Sequence, residues 1–259
     1  VRRGIADLVR RIASIHGIDD LALTSNGTLL ARHASDLAQA GLKRVNVSLD
    51  TLRPERFGLF TRLGHLEDVL QGMEMARVAG LCPVKINTVV IRHLNDDEIL
   101  DFARKTLESD WNVRFIEMMP IGKSGLGQKD WQDRVLTGRE IRESIEARLG
   151  ALMPAKVFPA NGPARYYRLP DAQGTIGFIT PISEHFCYHC NRLRLTADGY
   201  LRPCLLADEE IDLRTSIREG AQISEIMELL TQGIKRKPRQ HHLAQGDVPA
   251  SRPMSAIGG

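Results

Sequence analysis

The chain has 259 residues, and its 35 lysines and arginines exceed its 32 aspartates and glutamates to give a net charge of +3. This length allows one large domain or two smaller ones, and 42% hydrophobic with 26% charged residues is typical of a globular protein. The sequence has no apolar run of about 18 residues that would suggest a membrane span. Its one basic run is the short KRKPR at 235–239, so nucleic-acid binding has little support.

Four cysteines in a chain of this size are too few for a disulfide framework, so we expect a reducing, cytoplasmic location. The opening residues VRRGIADLVRR have the pattern of an amphipathic helix and not of a targeting segment. Because a natural chain seldom begins inside a helix, we expect a further segment upstream.

Helices and strands alternate over residues 2–119. Apolar spacing predicts helices at 5–12, 29–38 and 66–73, and Asn95 with Glu98 predicts a capping box at the start of a fourth helix. Strands are predicted at 21–24, 45–49, 84–90 and 113–119. Short links between alternating helices and strands predict parallel βα units, forming an α/β fold that is an incomplete TIM-type barrel. Its site is expected at the carboxyl ends of the strands.

The pattern changes after this region. Residues 120–137 are rich in glycine and polar residues and predict a loop, followed by a helix around 141–149. Short strands at 166–169 and 174–180 then lead into a cysteine-containing hairpin. Helices are predicted at 209–219 and 222–236, and the stretch from Pro238 to Gly259 lacks periodicity and predicts an extended tail.

Three cysteines, Cys187, Cys190 and Cys204, lie in the sequence HFCYHCNRLRLTADGYLRPCL. The Asp-Gly turn between two short strands predicts a hairpin that brings the third cysteine back beside the first two. Arg192 and Arg194 are two residues apart and are expected on one face of the same strand. Three thiolates with two guanidinium groups indicate a metal site that also receives an anion.

The cysteine spacing is compatible with more than one metal. A structural zinc site would take a fourth ligand from His185 or His189. An iron–sulfur cluster held by three cysteines would keep one iron open for substrate. A disulfide would leave one cysteine over and does not suit a reducing compartment.

Lys85 lies in the otherwise apolar and β-branched strand VKINTVV. A lysine in a parallel strand is costly unless it meets a partner or lines a cavity, although a position at a sheet edge facing water is an alternative. Thr24, Ser48 and Asp50 place further polar groups at the same end of successive strands, which is typical of a barrel site. Arg114 and Glu117 raise the same question, with pairing to each other or to neighbouring residues as the structural interpretation.

Taken together, these motifs resemble the GTP 3′,8-cyclases of molybdenum cofactor biosynthesis, which are radical S-adenosylmethionine enzymes. The resemblance runs from residue 1 to residue 259 and includes the closing Gly258-Gly259. It rests on the motifs LTSNG at 23–27, RVNVSLD at 44–50, VKIN at 84–87, RFIEMMPIG at 114–122 and FCYHCNRLRLTADGYLRPCL at 186–205.

The resemblance implies an enzyme that converts GTP to 3′,8-cyclo-7,8-dihydro-GTP with S-adenosylmethionine. Residues 1–122 would belong to the radical S-adenosylmethionine barrel, 123–237 to a C-terminal region with an auxiliary 4Fe-4S cluster, and 238–259 to a tail ending in Gly-Gly. The matching positions would bind the cluster through Cys187, Cys190 and Cys204, GTP through Thr24, Lys85, Arg192, Leu193 and Arg194, and S-adenosylmethionine through Ser48 and Met119.

One motif of the family does not occur in these residues. The C-x-x-x-C-x-x-C motif of the cluster that cleaves S-adenosylmethionine, and the Gly-Gly-Glu-Pro strand after it, are both absent. A second 4Fe-4S cluster is therefore expected from the upstream segment. The family also implies a homodimer and transfer of product to the next enzyme of molybdopterin synthesis. A zinc-stabilised, non-catalytic nucleotide- or anion-binding module and a radical S-adenosylmethionine enzyme with another substrate are the alternatives.

Overall fold

The computed structural model describes residues 2–121, 131–156, 162–243, 248–249 and 252–257. The chain divides into two compact units, of which the first comprises Val1–Met118 with Leu136–Thr180 and the second Met119–Val135 with Pro181–Gly259. Among the described helices, none has the length and apolar character needed to cross a membrane.

The secondary structure below refers to those described residues. The helices are α1 (Ile5–Ala13), α2 (Leu30–Gln39), α3 (Pro54–Thr61), α4 (Leu66–Val78), α5 (Ile99–Glu108), α6 (Trp131–Arg134), α7 (Gly138–Leu149), α8 (Arg214–Arg218) and α9 (Ile223–Lys235). The strands are β1 (Ala22–Ser25), β2 (Arg44–Ser48), β3 (Lys85–Val90), β4 (Asn112–Glu117), β5 (Met153–Pro154), β6 (Arg165–Arg168), β7 (Thr175–Ile179), β8 (Arg194–Leu195), β9 (Tyr200–Arg202) and β10 (Ile211–Asp212).

Within the described residues, the first unit contains a seven-stranded sheet in the order β1-β2-β3-β4-β7-β6-β5. Strands β1 to β4 and the pair β4–β7 are parallel, whereas β6 pairs antiparallel with both β7 and β5. This confirms the predicted α/β fold with a mainly parallel sheet. Membership in a closed or partial barrel stays a prediction.

The two faces of this sheet differ in chemistry because successive side chains of a strand point to opposite sides. One face supplies Val45, Val47, Ile86 and Val113 to the core shared with the helices, and all four are fully buried. Burial under helices stabilises the sheet by roughly 25 cal/mol per Å² of apolar surface removed from water. The alternate positions of the same strands form the opposite face, which is polar along the first part of β3 and β4 and apolar at Val89 and Ile116.

Two glycines allow α4 to approach the turn that follows β1. Gly27 has a φ of 83°, and a Cβ there would lie 2.7 Å from Cγ1 of Val69. A Cβ at Gly72 would lie 2.5 Å from the Gly27 carbonyl oxygen. The Ser-Asn-Gly turn is therefore held directly on α4, which fixes the carboxyl end of β1.

The predicted capping box at Asn95 and Glu98 is wrong. The Asn95 side chain makes no capping hydrogen bond; its Oδ1 accepts from the Ile91 N–H at 2.8 Å. Its Nδ2 donates to the carbonyl oxygens of Asp50 and Val89, at 2.8 and 2.9 Å. Asn95 thus joins the segments that follow β2 and β3, a long-range role that local spacing does not reveal.

Glu98 is fully buried, and it binds residues that follow β2 instead of capping a helix. Its carboxylate accepts from the Thr51 hydroxyl at 2.7 Å and from the Leu52 N–H at 2.6 Å, and it pairs with Arg56 on α3. Helix α3 is a further departure from the sequence prediction, which placed no helix between β2 and α4. Phe57 is its one buried residue, so its apolar periodicity is weak.

The sheet continues beyond residue 122 of the chain. Residues 136–180 join the first unit because β7 pairs with β4 and α7 packs on α5. The sequence had placed these residues with the C-terminal region. The domain limits after residues 122 and 237 stay a prediction.

The second unit has its own small sheet, in the order β10-β9-β8, with antiparallel pairing. Leu201, Ile211 and Leu213 form its core under α9. Gly233 permits close packing, since a Cβ there would lie 2.4 Å from Cδ2 of Leu201. The helix predicted at 209–219 begins only at Arg214, because Ile211 and Asp212 pair with β9.

The described parts of the tail are not simply extended. Leu243 and Ile257 are buried with Ile121 and Leu206 in one apolar cluster, and Met254–Ala256 is a 3-10 helix. Single apolar anchors of this kind produce no periodicity, so the sequence predicted a loose tail. Gly258 and Gly259 lie outside the described residues.

Candidate functional site

The polar face of the first sheet gathers the residues singled out near Lys85. The strand register places Thr24 beside Asn46 and Asn46 beside Lys85, and it places Asn87 beside Arg114. The parallel strands therefore carry two neighbouring rows of polar side chains on one face, Thr24–Asn46–Lys85 and Ser48–Asn87–Arg114. These include the polar groups for which the sequence predicts a site.

Lys85 is buried, with a relative exposure of 2%, and its ammonium lies 5.6 Å from the centre of the Tyr166 ring. The structure gives it no hydrogen bond or ion pair with another described residue. Because Lys85 is buried and β3 lies between β2 and β4, the alternative of an edge-strand lysine facing water is wrong. Burial, followed by the nearby charges of Arg44 and Arg114, lowers the pKa of Lys85 from 10.5 to about 8. Asp20 acts in the opposite direction but is already engaged by Arg44 in a two-pronged ion pair.

Arg114 is also buried, and it crosses the sheet to reach its partners. Its Nη2 donates to Oδ1 of Asn46 at 2.7 Å, and it hydrogen-bonds the hydroxyl of Tyr166. Its Nε has no hydrogen-bond partner among the described residues. Gly177 makes the arrangement possible, since a Cβ there would meet Tyr166 at 3.0 Å and Arg114 at 3.1 Å. Glu117 accepts from the Gly138 N–H at 2.8 Å, so both Arg114 and Glu117 contact neighbouring residues, as the structural interpretation of these two residues allowed.

Unsatisfied groups remain on this polar face. Oδ1 of Asn87 is buried without a partner in the described part of the chain, and Asn87 is the register neighbour of Arg114. An ammonium and a guanidinium N–H without acceptors, in a region of low dielectric, would bind an anion such as phosphate strongly. The chemistry of this face therefore suits an anion.

Thr24 and Ser48 are exposed on the same sheet. The Thr24 hydroxyl accepts from Nδ2 of Asn46 at 3.3 Å. Directly after Ser48, the Leu49 N–H donates to the Asn87 carbonyl at 2.9 Å, which ties the end of β2 to β3. The Thr24 hydroxyl is thus held by Asn46, the backbone after Ser48 is fixed, and both residues remain accessible to a ligand.

Asp50 reinforces the same strand ends. Its Oδ1 accepts from the Val89 N–H at 2.8 Å. Burial raises the pKa of Asp50 from 3.8 to about 6, although the hydrogen bond from Val89 lowers it. Asp50 therefore acts as a strand-end clamp, and its charge changes near neutral pH.

The cysteine motif folds in the second unit much as predicted. Cys187 begins a 3-10 helix that runs to His189, and β8 and β9 form the expected antiparallel hairpin before Cys204. All of the chain's cysteines are free thiols. Cys204 lies close enough to Cys187 and Cys190 for their charges to affect its titration. The hairpin thus returns the third cysteine to the neighbourhood of the first two.

The two arginines of the motif are arranged differently from the prediction. Strand β8 contains only Arg194 and Leu195, so Arg192 precedes the strand and does not share it. Arg192 stacks on the Phe186 ring at 5.0 Å, whereas Arg194 is partly buried and donates to the Ile257 carbonyl at 3.4 Å. The two arginines nevertheless lie near each other. Burial lowers the pKa of Arg194, and the charge of the nearby Arg192 lowers it further. Leu193, between them, is exposed.

The thiols next to these cations have different acidities. Burial acts to raise the pKa of Cys190, but hydrogen bonds from Arg192 and the charges of Arg192 and Lys237 lower it overall. Burial raises the pKa of Cys204, while a hydrogen bond from the Leu206 backbone and the charge of Lys237 act in the other direction. The site therefore favours the thiolate at Cys190 first.

The geometry of the second unit also bears on metal binding. Within the described ranges, no group of three or more His, Cys, Asp or Glu side chains is placed to hold a metal ion. His185, a proposed fourth zinc ligand, packs against Tyr188 and His241. Three free thiols beside two arginines suit an iron–sulfur cluster chemically, and metal binding by Cys187, Cys190 and Cys204 stays a prediction.

Met119, the other predicted contact to S-adenosylmethionine, belongs to the second unit and packs partly buried against Ile121 and its cluster. Its role as a ligand contact stays a prediction.

Some site residues were not identified from the sequence. Asn46, Tyr166 and Arg44 join the cationic face only through strand register and packing. Lys237 belongs to the basic run KRKPR, to which the sequence assigned no role in the site. Its ammonium donates to the backbone carbonyls of Arg192 and Pro203, before and after the hairpin. For Arg44 and Asn46, the sequence did contain a signal, because these polar residues alternate with the apolar Val45 and Val47 in β2.

Two family descriptions match this chain. Residues 1–106 match the radical SAM superfamily, and residues 111–243 match Molybdenum Cofactor Synthesis C. Together they include residues of both compact units.

Individual relatives agree along the whole chain. The GTP 3′,8-cyclase of Pelotomaculum thermopropionicum is 52% identical over 260 residues, which cover 100% of this chain and 78% of the relative. That of Heliobacterium modesticaldum is 49% identical over 262 residues, covering 100% and 79%. That of Moorella thermoacetica is 46% identical over 262 residues, covering 100% and 78%. The chain belongs to the family of GTP 3′,8-cyclases, radical SAM proteins of molybdenum cofactor synthesis.

Proposed function

We propose that this chain binds GTP and S-adenosylmethionine and serves the cyclisation of GTP to 3′,8-cyclo-7,8-dihydro-GTP. The observation that carries the proposal is the buried Lys85, which has no anionic partner among the described residues and lies near two arginines. Such a cluster is unfavourable in the absence of an anion. A triphosphate would compensate it.

Within the first unit, Lys85 and Arg114 would bind phosphate oxygens. Tyr166 supports both, through its ring at Lys85 and its hydroxyl at Arg114. The Thr24 hydroxyl would donate to GTP, and Ser48 would contact S-adenosylmethionine. Both hydroxyls lie on strands whose ends are fixed by backbone hydrogen bonds, which favours one binding geometry.

Within the second unit, Cys187, Cys190 and Cys204 would hold an auxiliary 4Fe-4S cluster. When bound, a three-cysteine cluster supplies an open iron that can accept a ligand from the substrate. Arg192 and Arg194 would donate to the phosphates of GTP, and Leu193, exposed between them, would contact the nucleotide. Met119 would contact S-adenosylmethionine.

Cleavage of S-adenosylmethionine requires a second 4Fe-4S cluster, for which these 259 residues have no C-x-x-x-C-x-x-C motif. The residues described above therefore bind and orient substrate, and they limit access of water to it. A homodimer, transfer of product to the next enzyme and a cytoplasmic location are further parts of this proposal.

Calorimetric titration of the 259-residue chain with GTP, ATP and guanosine tests the proposal. The variant Lys85→Met removes the buried cation and keeps the length of the side chain. The control is Lys105→Met, because Lys105 is exposed on α5 and pairs only with Glu108 among the described residues. We expect Lys85→Met to lower the affinity for GTP at least tenfold, the size of a lost charge-assisted hydrogen bond.

Three other results would count against the proposal. Equal affinity of wild type and Lys85→Met for GTP would show that Lys85 does not bind the phosphates of GTP. Loss of affinity in Lys105→Met as well would indicate a general effect of charge. Preference for ATP over GTP would favour a radical S-adenosylmethionine enzyme with another substrate.

A further inference from the structure

Arg252 makes ion pairs with two carboxylates of the second unit. Its Nε and Nη2 donate to the two carboxylate oxygens of Glu210 at 2.7 and 2.9 Å. Its Nη1 donates to both oxygens of Asp198 at 3.0 and 2.9 Å. The guanidinium also lies over the Tyr200 ring, 5.3 Å from its centre. One side chain thus binds three residues of the cysteine hairpin and the strand after it.

We call the ion pairs of Arg252 with Asp198 and Glu210 the clasp. Both of its carboxylates are held in place by other residues. Glu210 also accepts from Nη1 of Arg202 at 2.9 Å, and Arg202 is fully buried on β9. Asp198 lies in the turn between β8 and β9, where its Oδ1 accepts from the Thr196 hydroxyl at 2.6 Å. Because both carboxylates are held by the hairpin, Arg252 anchors its own segment to the hairpin.

That segment leads directly to an arginine of the proposed substrate site. Five residues after Arg252, Ile257 is buried with 1% exposure in the cluster that contains Leu243. Its carbonyl oxygen accepts from Nη1 of Arg194 at 3.4 Å. The clasp and the apolar cluster therefore fix the two ends of the segment, and the far end contacts Arg194.

We infer that Arg252 is a positioning residue, whose ion pairs with Asp198 and Glu210 hold the 252–257 segment so that the Ile257 carbonyl orients Arg194 for phosphate. This inference rests on the proposed function, in which Arg194 binds GTP. A planar guanidinium donates from two N–H groups to both oxygens of Glu210 and from a third nitrogen to Asp198, a geometry that an ammonium does not reproduce. The clasp acts through Arg194 and touches neither cluster nor substrate.

A double-mutant cycle tests the inference. GTP and guanosine affinities are measured for Arg252→Ala, Arg194→Ala and the double variant. We expect Arg252→Ala to weaken GTP binding about tenfold, the size of one displaced hydrogen bond to a charged group. Guanosine binding should not change, and the double variant should bind GTP no more weakly than Arg194→Ala, because the two residues act in series.

Two further variants separate positioning from folding. Arg252→Lys keeps the charge and should give an intermediate loss of GTP affinity. Arg236→Ala is the matched control, since Arg236 makes an exposed ion pair with Glu209 in the same unit. It should bind GTP as the wild type does. Wild-type affinity in Arg252→Ala, or full additivity with Arg194→Ala, would overturn the inference.

Hydrogen exchange of residues 253–257 provides a readout that does not depend on GTP. Arg252→Ala should accelerate exchange there, and Arg236→Ala should not. If the wild type fails to bind GTP, the proposed function fails. The exchange result still shows whether Arg252 anchors the 252–257 segment. Unchanged exchange in Arg252→Ala would overturn the anchor.

Discussion

The ammonium of Lys237 donates to the carbonyl oxygen of Arg192 at 2.7 Å, and the same ammonium reaches the Pro203 carbonyl at 2.8 Å. It therefore joins the backbone just after Cys190 to the backbone just before Cys204. A single cation thus brings together both approaches to the proposed cluster site. Its charge contributes to the lowered pKa of Cys190 and opposes the effect of burial that raises the pKa of Cys204.

Lys237→Met should destabilise the second unit. Two hydrogen bonds to a charged donor are lost, so we expect the free energy of unfolding to fall by about 2 kcal/mol. Urea titration measures the change, with Lys235→Met as a control at an exposed position of α9. Equal stability of the two variants would show that Lys237 does not hold the hairpin together.

The affinity for GTP should depend on pH through Lys85. Because burial and then Arg44 and Arg114 lower the pKa of Lys85 to about 8, the ammonium loses its proton as pH rises above that value. We expect GTP affinity to fall about tenfold from pH 7 to pH 9, as the charged fraction declines. Lys85→Arg should keep its charge and most of its affinity.

Calorimetry across this pH range compares the two proteins. Titration of GTP itself affects both equally, so their difference reports on Lys85. Identical pH profiles for wild type and Lys85→Arg would contradict this role.

Stability should depend on pH through Asp50. Its pKa is raised to about 6 by burial, so between pH 4 and 6 the folded chain holds a proton that the unfolded chain has lost. The stabilisation is present below about pH 4 and is lost as pH rises through 6. Asp50→Asn stays neutral, so its stability relative to wild type should increase from pH 4 to 6 and then level off.

Urea unfolding at successive pH values measures this difference, and Asp36→Asn, at an exposed position of α2, provides the control. A difference between Asp50→Asn and wild type that does not vary with pH would disprove the buried titration.

The thiols of the metal-free chain should differ in reactivity. Hydrogen bonds and charge from Arg192 lower the pKa of Cys190 against the effect of burial, whereas burial raises the pKa of Cys204. Since the thiolate is the reactive form, iodoacetamide near neutral pH should modify Cys190 before Cys204. Arg192→Gln should slow the labelling of Cys190. Mass spectrometry of timed samples gives both rates, and faster labelling of Cys204 would contradict the electrostatic assignment.

The sequence was sufficient for the parts of the fold and site that depend on local pattern. The alternation of helices and strands with short links predicted parallel strands such as β2 and β3, and a charge within an apolar strand identified Lys85. The Asp-Gly turn predicted the hairpin before Cys204. Each of these features depends on a few neighbouring residues.

Features that depend on distant partners were not predictable in this way. The contact between Arg114 and Asn46 joins residues 68 apart, and that between Lys237 and Arg192 joins residues 45 apart. Asn95 was assigned to a capping box because its long-range acceptors are not visible in local spacing. Register and packing decide these contacts.

Metal analysis of the chain reconstituted anaerobically with iron and sulfide tests the central claim most directly. Iron, sulfide and zinc are quantified beside electron paramagnetic resonance spectra, with and without GTP. We predict about four irons and four sulfides per chain, lost when Cys187, Cys190 and Cys204 are all replaced by alanine, and a spectrum that changes on addition of GTP. One zinc and no iron, under conditions in which a full-length relative acquires its clusters, would contradict the account and favour a zinc-stabilised module.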